Sequence, residues 1–407
     1  MNLLDDARGL APDLRQLRHD LHREPEVGLD LPRTQERVLG ALAGLPLEVS
    51  TGTDTTSVTA VLRGTADVAT PDERPVVLLR ADMDGLPVQE RTGLDYASRV
   101  DGVMHACGHD LHTSMLVGAA RLLSAHRERL VGDVVLMFQP GEEGWDGASV
   151  MISEGVMEAA GRPVEAAYGL HVFSSVRQHA EFVTRRGTML AASDALHVTV
   201  HGAGGHGSTP HLAKDPVTAV AEMVTALQTM VTRQFDVFDP VVVTVGSLHA
   251  GTRRNVIPDT ATFEATVRTF SAEARDKVAA AAPRLLRGIA AAHGVDVMVD
   301  YTAEYPLTVN DVDETDFAAH TIAELFGGER HADLVHPFNG SEDFSRVLDL
   351  VPGSFVGLGA VPVGVDPATA PFNHSPYAEY DDAVLADGTA LYAELAQRRL
   401  ALPATHN

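Results

Sequence analysis

Short runs of consecutive apolar residues punctuate the first third of the chain and return near its end, whereas the middle alternates or follows a helical period. Leu14, Leu17 and Leu21 recur at helical spacing with Arg15, Arg18 and Asp20 between them, which predicts an amphipathic surface helix. It should end near Pro25, because proline holds the residue before it extended. The runs at 57–62, 76–79, 134–138, 166–170 and 354–358 are bounded by turn residues, and strands buried on both faces account for them. Between the last two the character changes. Residues 194–201 alternate as a strand does, 215–232 have helical periodicity, 241–248 and 260–269 read as strands, 273–292 as a helix and 295–301 as a strand. The order βαββαβ builds a small antiparallel sheet covered by two helices.

The expectation is therefore an α/β protein whose mixed sheet, with helices on both faces, is interrupted by an α+β insert. Residues 1–188 and 305–407 form the two parts of the main domain and 189–304 the insert. With 407 residues, about two to three domains is the natural division.

The polar residues that follow the apolar runs matter most. Asp82 and Asp84 come just beyond one run, Glu142 and Glu143 beyond the next, His171 beyond the third, and the last is followed by a loop reaching Asn373 and His374. Ligands in open α/β sheets bind beyond the carboxyl ends of strands, so four ends offering acid or imidazole groups suggest one shared site.

Charge narrows the partners. A net charge of -25 argues against affinity for nucleic acid or anionic lipid. No apolar run approaches the ~20 residues that a membrane span needs. The first residues lack the basic start and apolar core of a signal peptide, and a lone cysteine excludes an intrachain disulfide framework, so a cytoplasmic location is expected.

That cysteine sits in His105-Ala106-Cys107-Gly108-His109-Asp110. Gly108 disfavours a helix here, while Asp110 looks like the N-cap of a helix over 111–123, which makes the stretch a loop delivering Cys107 and His109 together. A buried free thiol beside surface histidines explains the same residues. Cys107, His109, Glu143, His171 and His374, with Asp82, Asp84 and Glu142 nearby, combine thiolate, imidazole and carboxylate, which suits zinc, with manganese or cobalt as alternatives. Five donors exceed the need of one tetrahedral catalytic ion and hint at two. Of the paired glutamates, one can bind metal while the other moves a proton; two solvated acids at a helix start are the plainer reading. The glycine-rich stretch 202–211 lacks the Lys-Ser/Thr ending of a phosphate loop; His206 within it is either a hydrogen-bond donor to an oxyanion or part of a plain turn.

With Leu21-His22-Arg23-Glu24-Pro25-Glu26, Arg80-Ala81-Asp82-Met83-Asp84, Met104 to Asp110, Pro140-Gly141-Glu142-Glu143-Gly144, Gly169-Leu170-His171, Gly204-Gly205-His206-Gly207, Asn255-Val256-Ile257-Pro258-Asp259, Gly340-Ser341-Glu342-Asp343-Phe344 and Asn373-His374-Ser375-Pro376 in order, the chain resembles the M20 peptidase family of metal-dependent amidohydrolases. The match is to the branch of aminoacylases, hippurate hydrolases and auxin-conjugate hydrolases. The resemblance implies that Cys107, His109, Glu143, His171 and His374 ligate two divalent ions, zinc or manganese with cobalt or nickel as alternatives. It implies that Glu142 is the general acid and base, that Asp84 orients a ligand from behind, and that the insert is a lid and dimerisation domain. From that domain His206 would polarise the scissile carbonyl and Asn255 would approach the substrate. The role of Asp82 stays open. Arg253-Arg254 and Leu111 depart from the family pattern; Arg254 would add positive charge near a substrate carboxylate and Leu111 would narrow the pocket. The implied reaction is hydrolysis of a small N-acyl amino acid, with acetyl, benzoyl or similar acyl groups, by a cytoplasmic homodimer. A dipeptidase or carboxypeptidase with the same metals, or a catalytically silent binding protein on this fold, are the alternatives.

Overall fold

The computed structural model describes residues 3–67 and 74–402. The chain divides into two compact units, one of Met1–Gly187, Val309–Val335 and Asp343–Asn407, the other of Thr188–Thr308 and His336–Glu342.

In the first unit eight strands form one mixed sheet, in the spatial order Leu47–Thr51, Val58–Leu62, Asp133–Gln139, Val76–Asp82, Ala166–Phe173, Gly353–Gly359, Phe182–Thr184, His331–Asp333. The four that include the longest apolar runs are adjacent and mutually parallel, so their carboxyl ends share one edge. A parallel centre is covered on both faces, which is why these strands read as unbroken apolar runs. Val77, Leu79 and Ala81 face a core shared with helices Leu3–Arg23, Pro32–Leu42, His109–Ala125, Val312–Phe326 and Val384–Leu400. On the opposite face Arg80 and Gln139 both reach Asp343, which also accepts the N–H of Ala148 in the short helix Gly147–Ser153.

Two strands outrun their apolar pattern. Asp82 pairs with Gln139 and His171 with Gly357, so the expected loop residues Asp82 and His171 belong to the sheet itself. Backbone ladders between neighbours continue whatever the side chain, provided the polar group finds a partner.

The N-terminal helix departs from the expected amphipathic surface helix at one charged position. Arg18 is fully buried, its Nε 2.7 Å from Asp110 and its guanidinium 4.5 Å above the Tyr96 ring. Asp110 corrects its expectation as an N-cap. The following helix begins at His109 after Gly108, and the Asp110 carboxylate, instead of capping it, takes Arg18 and the Nδ1 of His22 at 2.8 Å. In a dry interior two cations outcompete an amide for a carboxylate.

In the second unit an antiparallel sheet runs Val241–Ala250, Thr260–Thr269, Ala192–His201, Asp296–Tyr305. Helices Pro216–Gln234 and Ala272–His293 pack on its buried face against Leu196, Val198, Phe263 and Val267. Asp215 caps the first helix by accepting the Val217 N–H, and Ser271 caps the second through Ala274. The element order is the expected βαββαβ, with a two-residue ribbon, Gly205–His206 against Val256–Ile257, added to it.

Burial alone would raise the Asp110 carboxyl, but Arg18 and His22 hold it far below the usual range. Its contribution is complete above the unfolded-chain value of about 4 and fades as pH falls toward the folded one. Asp110→Asn, which takes the anion from the Nε of a buried guanidinium and leaves it Asp382 at 3.2 Å, should cost about 3 kcal/mol near neutral pH. Urea unfolding should show that gap narrowing below about pH 4.

Candidate metal centre

The shared edge of the parallel strands gathers the candidate residues. Asp84 follows strand Val76–Asp82 and accepts two backbone N–H groups, of Glu142 at 3.0 Å and Glu143 at 3.1 Å, which sets the turn after strand Asp133–Gln139. Gly147 behind that turn leaves no room for a side chain: a Cβ would stand 1.7 Å from the Pro140 oxygen. Gly108 has φ +86°, and a Cβ there would meet Val172 Cγ2 at 2.4 Å, so only glycine lets Cys107 approach strand Ala166–Phe173.

Cys107 Sγ lies 3.4 Å from His171 Nε2, and His171 donates its Nδ1–H to the Val172 carbonyl, leaving Nε2 available. His374 Nε2 lies 3.1 Å from Glu143 Oε1. Donor atoms of Cys107, His109 and His171 lie within 4.8 Å of one another, as do those of Cys107, Glu143 and His374 and those of His109, Glu142 and Glu143. The first two triads share the thiol. Both ring nitrogens of His109 are buried without a hydrogen-bond partner, with Asp82 and Asp84 oxygens at 3.6 and 3.5 Å. Thiolate, imidazole and carboxylate donors with uncommitted buried nitrogens fit a divalent cation of borderline softness.

A further triad, Asp82, His109 and His112, differs because the donors of Asp82 and His112 are spent. Asp82 binds His112 Nδ1 at 2.6 Å through one oxygen and Arg80 at 2.7 Å through the other, while His112 Nε2 accepts the Val172 N–H at 2.8 Å. Sequence reasoning missed His112, although its spacing of three from His109 puts both on one helix face. It also missed what Asn373 does. The Asn373 amide donates to the carbonyls of Val172 at 3.0 Å and Cys107 at 3.3 Å and accepts the Ser174 N–H at 3.0 Å, tying three segments together.

Hydrogen bonds to Cys107 and Glu143 push His374 up to about 10. Burial would raise Glu143, but His374 and His109 outweigh it and hold the carboxyl below its usual range. Burial also drives His171 far down, toward the neutral form a ligand needs. Next to the site, burial pushes His105 down to about 3; neither of its nitrogens has a partner, and it stands as a neutral buried ring.

Leu111 corrects its expectation, since it is wholly buried in the main apolar core rather than set to narrow a pocket. His206, Arg253, Arg254 and Asn255 lie exposed in the second unit. His206 Nδ1 accepts the Ser208 N–H at 3.1 Å, which keeps the ring proton on Nε2, and Asn255 accepts the Gly207 N–H at its carbonyl.

A family model described as peptidase family M20/M25/M40 matches residues 78–398. The chain is 36% identical over 361 residues to thermostable carboxypeptidase 1 of Saccharolobus solfataricus, covering 88% of each. It is 34% identical over 404 residues to the hippurate hydrolase of Campylobacter jejuni, covering 98% of this chain and 100% of that one. Among solved structures it resembles a Bacillus subtilis protein described as a dinuclear metal binding peptidase of the M20 family, with a TM-score of 0.81, 31% identity and coverage of 97% and 99%.

Gly108→Ala tests the close approach. Positive φ and the clash with Val172 should together cost about 1–3 kcal/mol of stability and weaken binding of added Zn²⁺ or Mn²⁺, read by thermal unfolding and calorimetric titration. Unchanged metal affinity would show that Cys107 does not need this approach.

Proposed function

This chain belongs to peptidase family M20/M25/M40, a family of hydrolases acting on amide bonds, and from that premise we propose that it splits N-acyl amino acids into a carboxylic acid and a free amino acid. The observation that carries the proposal is the pair of donor triads sharing Cys107, set beside the buried carboxylate of Glu142. Cys107, His109, Glu143, His171 and His374 would hold two divalent cations, zinc or manganese, with cobalt or nickel as alternatives. When bound, these supply Lewis acidity toward the scissile carbonyl and make a water acidic enough to attack near neutral pH.

The chain's own residues do the rest. Glu142 takes the proton of the attacking water and hands it to the leaving amine. Asp84 fixes Glu142 and Glu143 by holding their backbone N–H groups, which sets the turn that carries both carboxylates. His206 is proposed as the donor to the developing oxyanion, a role supported by the proton that Ser208 keeps on its Nε2. Asn255 and Arg254 are proposed to meet the substrate, Arg254 by charge. A homodimer in the cytoplasm completes the proposal; a free thiol at the site suits a reducing compartment.

The similarity to a carboxypeptidase favours a second reading, cleavage of peptides by the same site. A panel of acetyl, benzoyl and larger acyl derivatives of one amino acid, run beside dipeptides, separates the two by kcat/KM.

Chelation of the purified protein should abolish hydrolysis, and one of the named divalent metals should restore it. Glu142→Gln should lower kcat by about 10²- to 10⁴-fold with bound metal unchanged. Full activity of that variant would remove Glu142 from the mechanism.

A further inference from the structure

We infer that His112 is a positioning residue for the metal centre: a neutral imidazole that pins the helix bearing His109 to the strand bearing His171. This rests on the metal reading above, which does not itself involve His112.

The hydrogen bonds fix the ring's state. The Val172 N–H donates to Nε2, so the ring carries its proton on Nδ1 and gives it to Asp82. A second proton on Nε2 would face that N–H head-on. Metal coordination by His112 would break one of two buried hydrogen bonds, whereas His109 and His171 have ring nitrogens to offer. The ring also packs against both, its centroid 5.5 Å from that of His109 and 4.9 Å from that of His171, whose own centroids are 6.3 Å apart.

What the pin is fastened to explains the rest of the cluster. Asp82 is held from the other side by Arg80, whose Nε donates to Gln139 at 2.8 Å and whose Nη2 donates to Asp343 at 2.9 Å. The backbone carbonyl of Asp82 takes the Thr113 hydroxyl at 2.8 Å, one residue beyond His112. The chain of contacts from Asp343 through Arg80, Asp82 and His112 to the Val172 amide thus links two neighbouring strands, Val76–Asp82 and Ala166–Phe173, and ends one residue from His171. This also gives Asp82 its role. With both oxygens committed, it stands behind His109 and braces His112.

Partners behind ligating histidines change metal affinity by roughly 10- to 100-fold. His112→Phe removes both hydrogen bonds and keeps the bulk. His112→Asn can still donate to Asp82, and His112→Gln can still accept from Val172. Co²⁺ titration of the metal-free proteins, read by calorimetry and by the visible spectrum, should show His112→Phe about 10- to 100-fold weaker with altered absorption, and the Asn and Gln variants between it and wild type. Met115→Ala, a cavity in the core on the same helix, controls for lost stability and should bind Co²⁺ as wild type does. Should His112→Phe not fold, the Asn and Gln variants decide by the same readings. Wild-type affinity and spectrum in the folded His112 variants would overturn this inference and leave the metal reading standing. No Co²⁺, Zn²⁺ or Mn²⁺ binding by the wild-type protein would overturn both.

Discussion

Negative charge drawn into the edge of a parallel sheet is the constraint from which the rest follows. Asp82 and Asp84 are buried, as is Glu142, and Glu143 beside them is largely so. Leaving buried carboxylates without partners costs several kcal/mol each. The structure meets that cost locally: Arg80 and His112 hold Asp82, two backbone N–H groups hold Asp84, and His374 holds Glu143. His109, in the middle of these acids, keeps both nitrogens uncommitted. A cation at the thiol is the natural completion of such a set.

The same physics operates again one turn away. Asp110, next to His109, is clamped by Arg18 and His22 from the N-terminal helix, and His22 reaches on to Glu90. The start of helix His109–Ala125 is therefore gripped from two sides, by Arg18 through Asp110 and by the Asp82 cluster through His112. A helix held at its first turn by buried polar contacts has little freedom to slide, and the position of His109 inherits that rigidity.

The apolar runs made the central strands legible because a parallel centre demands apolar residues on both faces. Their ends were less legible, since Asp82 and His171 are polar residues kept in the ladder by partners far away in sequence. Arg18 read as a solvent-facing charge for the same reason: nothing near it in sequence announces Asp110 or Tyr96. The candidate donors could be singled out because each carries metal-binding chemistry and either follows an apolar run, as Glu143, His171 and His374 do, or flanks the lone cysteine, as His109 does. His112 could not be. It sits in a helix buried nearly all round, where no polar face marks it, and its hydrogen bonds go to a strand end and a backbone amide.

The two triads that share Cys107 differ in their surroundings, and the difference gives the centre a direction. His109 is wholly buried, whereas the side chain of His374 is 53% exposed. His374 also holds φ +72°, a conformation that a residue with a Cβ adopts at a cost, and its N–H is fastened to the Ala106 carbonyl. Asn373 beside it is anchored to the carbonyls of Cys107 and Val172. The strained residue is thus the one carried to the solvent-facing side, on a loop whose neighbour is tied to both His109's loop and His171's strand. Such strain persists only where the surroundings over-determine it, and here they do so through the same backbone that places the thiol. The buried triad is rigid because the sheet and helix are; the exposed triad is rigid because Asn373 transfers that rigidity to His374.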